Sequence, residues 1–306
     1  MSNYIEHNSS IEAFNKQNET SWSIISKIEQ RIKNKIENAG IRLSDWDIEI
    51  NYGIKTGYNE AFIISNEERE RLLTSCATDK ERELTDELIR PILRGKDIKK
   101  YRYDYKDLYV ILAYFGSYKI LPIKYPTVFT YLSQFKSALE ARGQCRYTSS
   151  GKVNINHDYL GQHHWLELDN NPSLLKLEDF SKQKIVWGNL NLEAAYTIVD
   201  EGIVIAAPSC MLLPANKYIL AVLNSKVADF YVKHLGVARN GGFYEYKPMF
   251  VEQIPIPHID QAKAKLFDTL VTDRIKGQNS EKLINNMIFD LYGLTQEDVL
   301  YLQQNY

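Results

Sequence analysis

The sequence predicts an α+β fold, in which a mixed, sheet-based region is followed by a small C-terminal helical tail. Two observations predict the sheets: residues 46–52 alternate between apolar and polar side chains, and short apolar runs occur at 108–115 and 184–187. A third predicts the tail, because beyond Pro257 the apolar residues recur at helical spacing. With 44% hydrophobic residues in a chain of 306, a sizeable core is expected.

Residues 1–45 are predicted to be an N-terminal lead-in and one helix. Residues 1–20 are polar and have no hydrophobic period. The apolar positions of the helix then recur every three or four residues, at Trp22, Ile25, Ile28, Ile32 and Ile36. Gly40 is a natural stop for this helix.

Residues 46–257 are predicted to form the main domain. Its first strand, residues 46–52, runs into a turn bracketed by Gly53 and Gly57. The segment 60–87 holds nine Asp or Glu against four Lys or Arg, which indicates solvated helices and loops.

The charge then reverses, with six Lys or Arg against two Asp between residues 94 and 106. A second, weaker basic stretch at 136–152 is rich in Ser, Thr, Gly and Asn, so we place it largely in a loop. Further strands are predicted at 184–187 and 202–207.

One long helix is predicted after Asn216, a good N-cap residue. Its apolar face comprises Ile219, Leu220, Leu223, Val227, Phe230, Tyr231 and Leu235. The prolines of the segment 254–257 end the mixed region, because proline is excluded from helix interiors and interior strands. Residues 258–306 are predicted to be three amphipathic helices, and the last begins with the capping-box pattern of Thr295 and Asp298.

Composition excludes several classes of protein. There are 37 Lys or Arg and 39 Asp or Glu, a formal charge of −2, so a globally basic coat for nucleic acid or anionic membrane is excluded, but a local basic face is not. Three widely spaced cysteines make no disulfide framework or metal-binding pair. The apolar runs are too short for a membrane helix, and the polar N-terminus has no signal-peptide core. A soluble, cytoplasmic protein is expected.

Catalytic and metal-binding motifs are not evident, so no catalytic or metal-ligating residue is predicted. Adjacent histidines at 163 and 164, with His157 upstream, favour structural or surface roles, because neighbours on a strand face opposite sides. Asp45, Asp47 and Glu49 alternate along one strand, which favours a solvated or ion-paired face. The sequence contains no nucleophile elbow, phosphate loop or dinucleotide fingerprint.

Three strings have features of a DNA contact. The segment GIKTGYNEAF has two glycines that permit a tight backbone around an anion, LRGKDIKKYRYDYK interleaves cations with tyrosines, and GGFYEYKP follows two polar loop residues. Each also has a structural interpretation: a simple β-turn, a charged edge strand with core tyrosines, and a turn followed by core aromatics.

Five strings occur together in a fixed order: GIKTGYNEAFII at 53–64, LIRPILRGKDIKKY at 88–101, LNSKVADFYVKHLG at 223–236, GGFYEYKP at 241–248 and QIPIP at 253–257. In this combination the chain resembles the C-terminal target-recognition (specificity) domain of TaqI-like and Eco57I-like adenine-N6 DNA methyltransferases. These include type IIG restriction-modification enzymes. The LYGLT string at 291–295 is similar to the tails of such proteins.

The resemblance implies that the chain reads a short sequence in double-stranded DNA with side chains on loops held by a sheet. The residues expected to contact DNA are Lys55, Thr56, Tyr58, Asn59, Arg94, Lys96, Gln134, Arg142, Arg146, Arg239 and Asn240. We expect Asp97 to form an internal salt bridge or a turn, and not a base contact. Phe243, Tyr244 and Tyr246 are assigned mostly to the core.

The catalytic signatures of that family are missing. The chain has no NPPY-type motif, its one Asn-Pro pair being Asn171-Pro172 followed by Ser173, and no glycine-rich S-adenosylmethionine loop or nuclease pattern. We therefore expect a specificity part, either a fragment or a stand-alone chain. Its partners would be methyltransferase or nuclease domains of the same parent chain or of another subunit. S-adenosylmethionine and magnesium are expected for those domains, and no cofactor for this chain.

Two other classes of function stay open from the sequence. One is a protein-interaction module of a phage-defence complex, in which the helices after Pro257 dock a partner. The other is a nuclease in its own right, with Mg²⁺ held by the carboxylates between Asp45 and Glu49.

Overall fold

A computed structural model of the protein describes residues 26–154, 158–170 and 177–306. Within these ranges the helices are α1 (Lys27–Ala39), α2 (Asn59–Phe62), α3 (Asn66–Ser75), α4 (Asp79–Leu88), α5 (Leu121–Lys124), α6 (Pro126–Ser133), α7 (Lys136–Glu140), α8 (Gly143–Arg146), α9 (Lys217–Leu223), α10 (Lys226–Leu235), α11 (Pro248–Val251), α12 (Gln261–Ile275), α13 (Glu281–Leu291) and α14 (Gln296–Asn305). The strands are β1 (Ile41–Arg42), β2 (Glu49–Tyr52), β3 (Ile63–Ser65), β4 (Ile89–Leu93), β5 (Ile98–Lys99), β6 (Arg102–Tyr103), β7 (Leu108–Ile111), β8 (Lys184–Trp187), β9 (Leu190–Asn191), β10 (Tyr196–Val199), β11 (Val204–Ile205), β12 (Cys210–Leu213), β13 (Tyr244–Glu245) and β14 (Pro255–Ile256). This mixture confirms the predicted α+β class.

The central layer is an antiparallel sheet with strand order β10-β8-β12-β2. Along β8, Ile185 and Trp187 belong to one hydrophobic core, whereas the intervening Val186 belongs to another. Side chains alternate between the two faces of a strand, so this sheet separates two cores. Its two middle strands are buried over their whole length for that reason.

The second layer is a sheet with strand order β11-β4-β7-β3, in which β11 runs parallel to β4 and the other pairs are antiparallel. Val110 and Ile111 of β7 are fully buried in the core that it shares with Val186. Side chains of α6, among them Val128 and Leu132, complete this core.

The C-terminal helices cover the opposite face of the central sheet. Phe267 of α12 packs on Tyr218 of α9 with ring centroids 5.0 Å apart. Ile36 of α1 and Leu302 of α14 are buried in the same core as Trp187. The three segments predicted as separate units thus contribute to one core, and the division at 45 and 257 stays a prediction.

Several boundaries differ from the sequence-based expectation. The segment 136–152, expected largely as a loop, contains α7 and α8. The single helix expected after Asn216 is two, because the chain turns at Asn224 and Ser225. Ser225 caps α10 by accepting a hydrogen bond from Ala228, so a second helix begins where one was expected to continue.

The predicted ends of other helices are confirmed. Gly40 follows α1, and Thr295 and Asp298 form the capping box of α14. The helical positions Trp22 and Ile25, and the lead-in before them, lie outside the described residues. No helix within the described residues is long and apolar enough to cross a membrane.

Candidate nucleic-acid interface

A groove of about 1060 Å³ lies where loops from both sheets meet. We call it the cationic groove; its lining comes from segments 54–60, 94–99, 188–195 and 206–209, with Ile63 and Phe243. The first two segments follow β2 and β4. Segment 188–195 connects β8 to β10 within the central sheet, and segment 206–209 connects β11 of the second sheet to β12 of the central sheet. Strand ends therefore fix the positions of the loops that form the groove.

The groove concentrates positive charge in a protein whose net charge is slightly negative. Four cations line it, Lys55, Arg94, Lys96 and Lys99, against the carboxylates of Glu60 and Glu193. Side-chain amides of Asn59, Asn189 and Asn191 stand among them. Cations attract phosphates, and amides pair with base edges.

The segment 54–60 is held closely against the rest of the domain. The Ile54 amide donates to the Ile205 carbonyl at 2.7 Å. Gly57 has a φ of +73°, and a Cβ there would lie 2.4 Å from the Asp169 carboxylate, so glycine is required on both counts. The Thr56 hydroxyl donates to Asn59 Oδ1 at 2.6 Å.

Behind this segment lies a buried ion network that we call the hub, formed by Arg142, His163 and Asp169. All five N–H groups of Arg142 are used, which is the full capacity of a guanidinium. They donate to the carbonyls of Leu139, Thr56, Trp165 and Glu167 at 2.7–3.0 Å and to Asp169 Oδ1 at 3.3 Å. Asp169 also pairs with Lys55 across 3.5 Å, which connects the hub to the groove.

The surroundings of His163 in the hub favour its charged form. It is fully buried, and its Nε2 lies 3.1 Å from Asp169 Oδ1 while its Nδ1 lies 2.9 Å from the His164 carbonyl. Burial opposes the charge, but the bonds to Asp169, Cys145 and His164 outweigh it and raise the pKa of His163 to about 9. Burial and the charge of His163 lower the pKa of His164 to about 4.

The RGKD segment forms another wall of the groove. Arg94 Nε donates to Asp97 Oδ2 at 2.7 Å, so the predicted salt bridge of Asp97 is confirmed. Gly95 lies against Ser209, whose Oγ would be 2.7 Å from a Cβ at that position. Lys96 stays exposed at the surface of this wall.

The loop 188–195 is anchored by polar side chains of the LNSKVADF string. Asn224 accepts from the Tyr196 amide and donates to the Tyr196 carbonyl, each at 2.9 Å. Asp229 accepts from the Ala194 amide at 2.8 Å and from the Tyr246 hydroxyl. These residues fix one wall of the groove from beneath.

Of the eleven residues expected to contact DNA, six line the cationic groove: Lys55, Thr56, Tyr58, Asn59, Arg94 and Lys96. Thr56 is 3% exposed, and its hydroxyl and carbonyl are bonded to Asn59 and Arg142, so it supports the loop more than it presents a group to the groove. Arg239 and Asn240 stand next to Phe243 at the rim, where Arg239 Nε donates to Glu245 at 2.7 Å. Whether these residues contact DNA stays a prediction.

The other three expected residues do not line the groove. The prediction that Arg142 lies on an exposed, base-reading loop is wrong, because its side chain is buried and its N–H groups are all occupied. Gln134 ends α6 at the surface, and Arg146 is exposed with its guanidinium 5.6 Å from the Tyr147 ring centre.

The aromatic residues divide differently from the expectation. Tyr246 is fully buried, as predicted, but Phe243 is 36% exposed and lines the groove. Tyr101 is buried and its amide donates a hydrogen bond to the Tyr196 carbonyl at 2.9 Å, so it belongs to the framework and not to a base-stacking surface.

Sequence reasoning missed Lys99, the loop 188–195 and the hub partners of Arg142. The string WGNLNLE has polar residues directly after a strand, which is a signal for a binding loop. For Asp169 no comparable signal exists, because its partners come from segments far apart in the chain. Among the described residues, no three His, Cys, Asp or Glu side chains are placed to hold a metal ion. This holds for Asp45, Asp47 and Glu49 as well.

Comparisons with known proteins identify a matching family and similar folds. The model of the TaqI-like C-terminal specificity domain matches residues 90–256. The fold is similar to a structure of the type IIL restriction-modification enzyme MmeI in complex with DNA, with a TM-score of 0.56, 12% identity, and coverage of 87% of this chain and 36% of that one. The type IIG restriction endonuclease BpuSI matches with a TM-score of 0.45 and 13% identity, over 88% of this chain and 34% of that one. This chain thus spans about a third of each of those proteins, and no curated protein matches it.

Proposed function

The chain belongs to the family of TaqI-like C-terminal specificity domains, and we propose that it recognises the DNA target of a restriction-modification enzyme. The observation that carries this proposal is the cationic groove, where four cations and three asparagine amides line one cleft of a protein with net charge −2. A bulk electrostatic attraction to DNA is excluded by that net charge, so a local site has to supply it.

The side chains of the groove suit two kinds of DNA contact, to phosphates and to base edges. Lys55, Lys96 and Lys99 are flexible point charges suited to phosphates. Asn59 Oδ1 accepts from Thr56 and Asn191 Nδ2 donates to the Gly188 carbonyl, which leaves each amide a lone pair and an N–H. Both are therefore suited to the adenine edge, where one amide can donate and accept together. Arg94 is oriented by Asp97, which pre-organises its guanidinium at the groove.

We assign the chemistry to other domains of the parent enzyme. A methyltransferase, with or without a nuclease, would act on the site that this chain selects, and S-adenosylmethionine and Mg²⁺ would be bound there. The likeness to MmeI supports such an arrangement, since the similar fold covers 36% of that restriction-modification enzyme. The cytoplasm, where bacterial DNA lies, is the proposed location.

Selection of bound duplexes from a randomised pool by the purified chain at low salt tests the proposal. An enriched short motif supports target recognition. Binding that weakens with salt but enriches nothing would mean that this chain supplies phosphate contacts without sequence readout, and the specificity part of the proposal would fall. Absence of binding at any salt would overturn it altogether.

A further inference from the structure

Three large apolar side chains are exposed at one wall of the cationic groove. Leu190 is 48%, Leu192 55% and Phe243 36% exposed, and all three line the groove together with its lysines. Exposed apolar side chains that cluster beside a polar site mark a contact surface more often than isolated ones do. The occupant of this wall has to suit both apolar carbon and four cations.

The three side chains stand on a small two-stranded ribbon. In this ribbon β9 pairs antiparallel with β13, Asn191 opposite Tyr244 and Leu190 opposite Glu245. Continuing the register places Phe243 opposite Leu192. Gly241 and Gly242 both have positive φ, 78° and 79°, and this turn brings Phe243 back to the ribbon.

The ribbon is pre-organised from beneath. Trp187 Nε1 donates to the Tyr246 carbonyl at 2.7 Å, and the Tyr246 amide donates to the Asn189 carbonyl at 2.9 Å. Asp229 holds the far end of the loop at Ala194. The apolar side chains are therefore presented on a fixed support, which lowers the entropic cost of binding.

We infer that this apolar wall, formed by Leu190, Leu192 and Phe243, reads the 5-methyl groups of thymine in the major groove. The inference rests on the proposed function and adds the chemical group that is read. A two-stranded ribbon fits the major groove, where the thymine methyl is the apolar feature among base edges. The flanking lysines complement the phosphates on either side of that groove, which favours DNA over an apolar protein partner.

The test removes one methyl group at a time. In the duplex enriched by selection, each thymine is replaced by deoxyuridine, which pairs identically but lacks the methyl. For the wild-type chain we expect about a fourfold loss of affinity at each contacted position, the value of one buried methyl. Leu192→Ala or Phe243→Ala should bind the thymine and uracil duplexes equally at such a position.

Leu283→Ala is the matched control, because Leu283 is 51% exposed on α13 and lies outside the groove. It should keep the wild-type preference for thymine. Unfolding in urea shows whether each variant is folded, and surface truncations of this kind are expected to change stability by less than about 0.5 kcal/mol.

Two kinds of failure are distinguishable. If the chain binds no duplex, the proposed function fails and this inference with it. If it binds, the inference alone is overturned by a bound sequence without thymine, by uracil duplexes that bind as tightly as thymine duplexes, or by a thymine preference that survives in the Leu190, Leu192 and Phe243 alanine variants. The inference would also be overturned if Leu192→Ala lowered affinity for the thymine and uracil duplexes by the same factor relative to wild type. That result would indicate an apolar wedge between base pairs.

Discussion

The hub and the cationic groove contain the same kinds of side chain in opposite environments. Arg142 in the hub has a side chain 4% exposed and donates all its N–H groups to the protein, whereas Lys55 at the groove is 51% exposed and has one carboxylate nearby. Asp169 touches both. The comparison shows that a cation near a binding loop serves either the loop's shape or its ligand, and that burial decides which.

The two regions should respond to opposite experiments. Removing one member of a buried ion network leaves the buried groups that it bonded without their partner, so the hub should govern stability. Exposed cations are screened by salt and cost little to remove, so the groove should govern DNA affinity and its salt dependence.

The largest effect is expected for Arg142→Ala. Asp169 would lose its guanidinium and three segments would lose their common donor, so we expect the free energy of unfolding to fall by about 3–5 kcal/mol in urea titrations. Arg146→Ala, an exposed arginine on the adjoining helix, should stay within about 0.5 kcal/mol of wild type. A decrease in the free energy of unfolding of less than about 1 kcal/mol in the Arg142→Ala protein would show that the hub does not govern stability.

The charge on His163 should appear as a pH dependence. Its pKa is raised to about 9 in the folded protein, from an ordinary value of 6.5. Its contribution is therefore complete below pH 6.5 and lost as pH rises through 9. One hydrogen bond to a charged group is worth about 1.5–3 kcal/mol.

The difference in unfolding free energy between wild type and His163→Gln should accordingly shrink between pH 6.5 and 9. Lys184, whose pKa burial lowers to about 8, titrates in the same interval but is present in both proteins and cancels. A pH-independent difference would show that His163 is neutral in the folded protein.

Asn224→Ala tests whether the groove wall depends on its buried anchor. The Tyr196 amide would lose its acceptor, so we expect a loss of about 1–3 kcal/mol in thermal or urea unfolding. Asn38→Ala, at an exposed amide of α1, is the control and should change stability by less than about 0.5 kcal/mol. Equal stability of the two variants would mean that the loop 188–195 is held by other contacts.

The smallest change in stability and the clearest in binding is expected for Lys96→Ala. If Lys96 contacts one phosphate, the slope of log affinity against log salt should decrease in magnitude by about 0.9, equally for all sequences. The exposed Lys276, beyond the end of α12, provides the control substitution. An unchanged slope would remove Lys96 from the interface, and a sequence-dependent loss would assign it to base reading.

Much of the fold was accessible from the sequence. Residues that act locally could be predicted: Gly40 after α1, the capping box of Thr295 and Asp298, and the Arg94–Asp97 pair, which are three residues apart. The glycines and the lysine of segment 54–60 also marked it as a candidate binding turn, and it lines the groove. For the two helix ends and the Arg94–Asp97 pair the determining residues are near neighbours in the chain, so spacing is sufficient.

The residues that were misassigned depend on distant partners. Arg142 and Lys96 are both cations on short connecting segments, and the sequence gives no reason to expect that one is buried and the other exposed. Asn224 appeared as the interior of one helix, although its amide binds Tyr196 and helps to end α9.

By itself the sequence determined the α+β class, the order of the family strings and the presence of basic residues without a catalytic motif. The tertiary structure decided which of those basic residues face a groove, because exposure depends on what the rest of the chain packs against a side chain. Arg142 is inside because Asp169 and three carbonyls from distant segments, those of Thr56, Trp165 and Glu167, surround it. Contacts between near neighbours can be predicted from their spacing in the sequence, whereas burial is a property of the folded molecule.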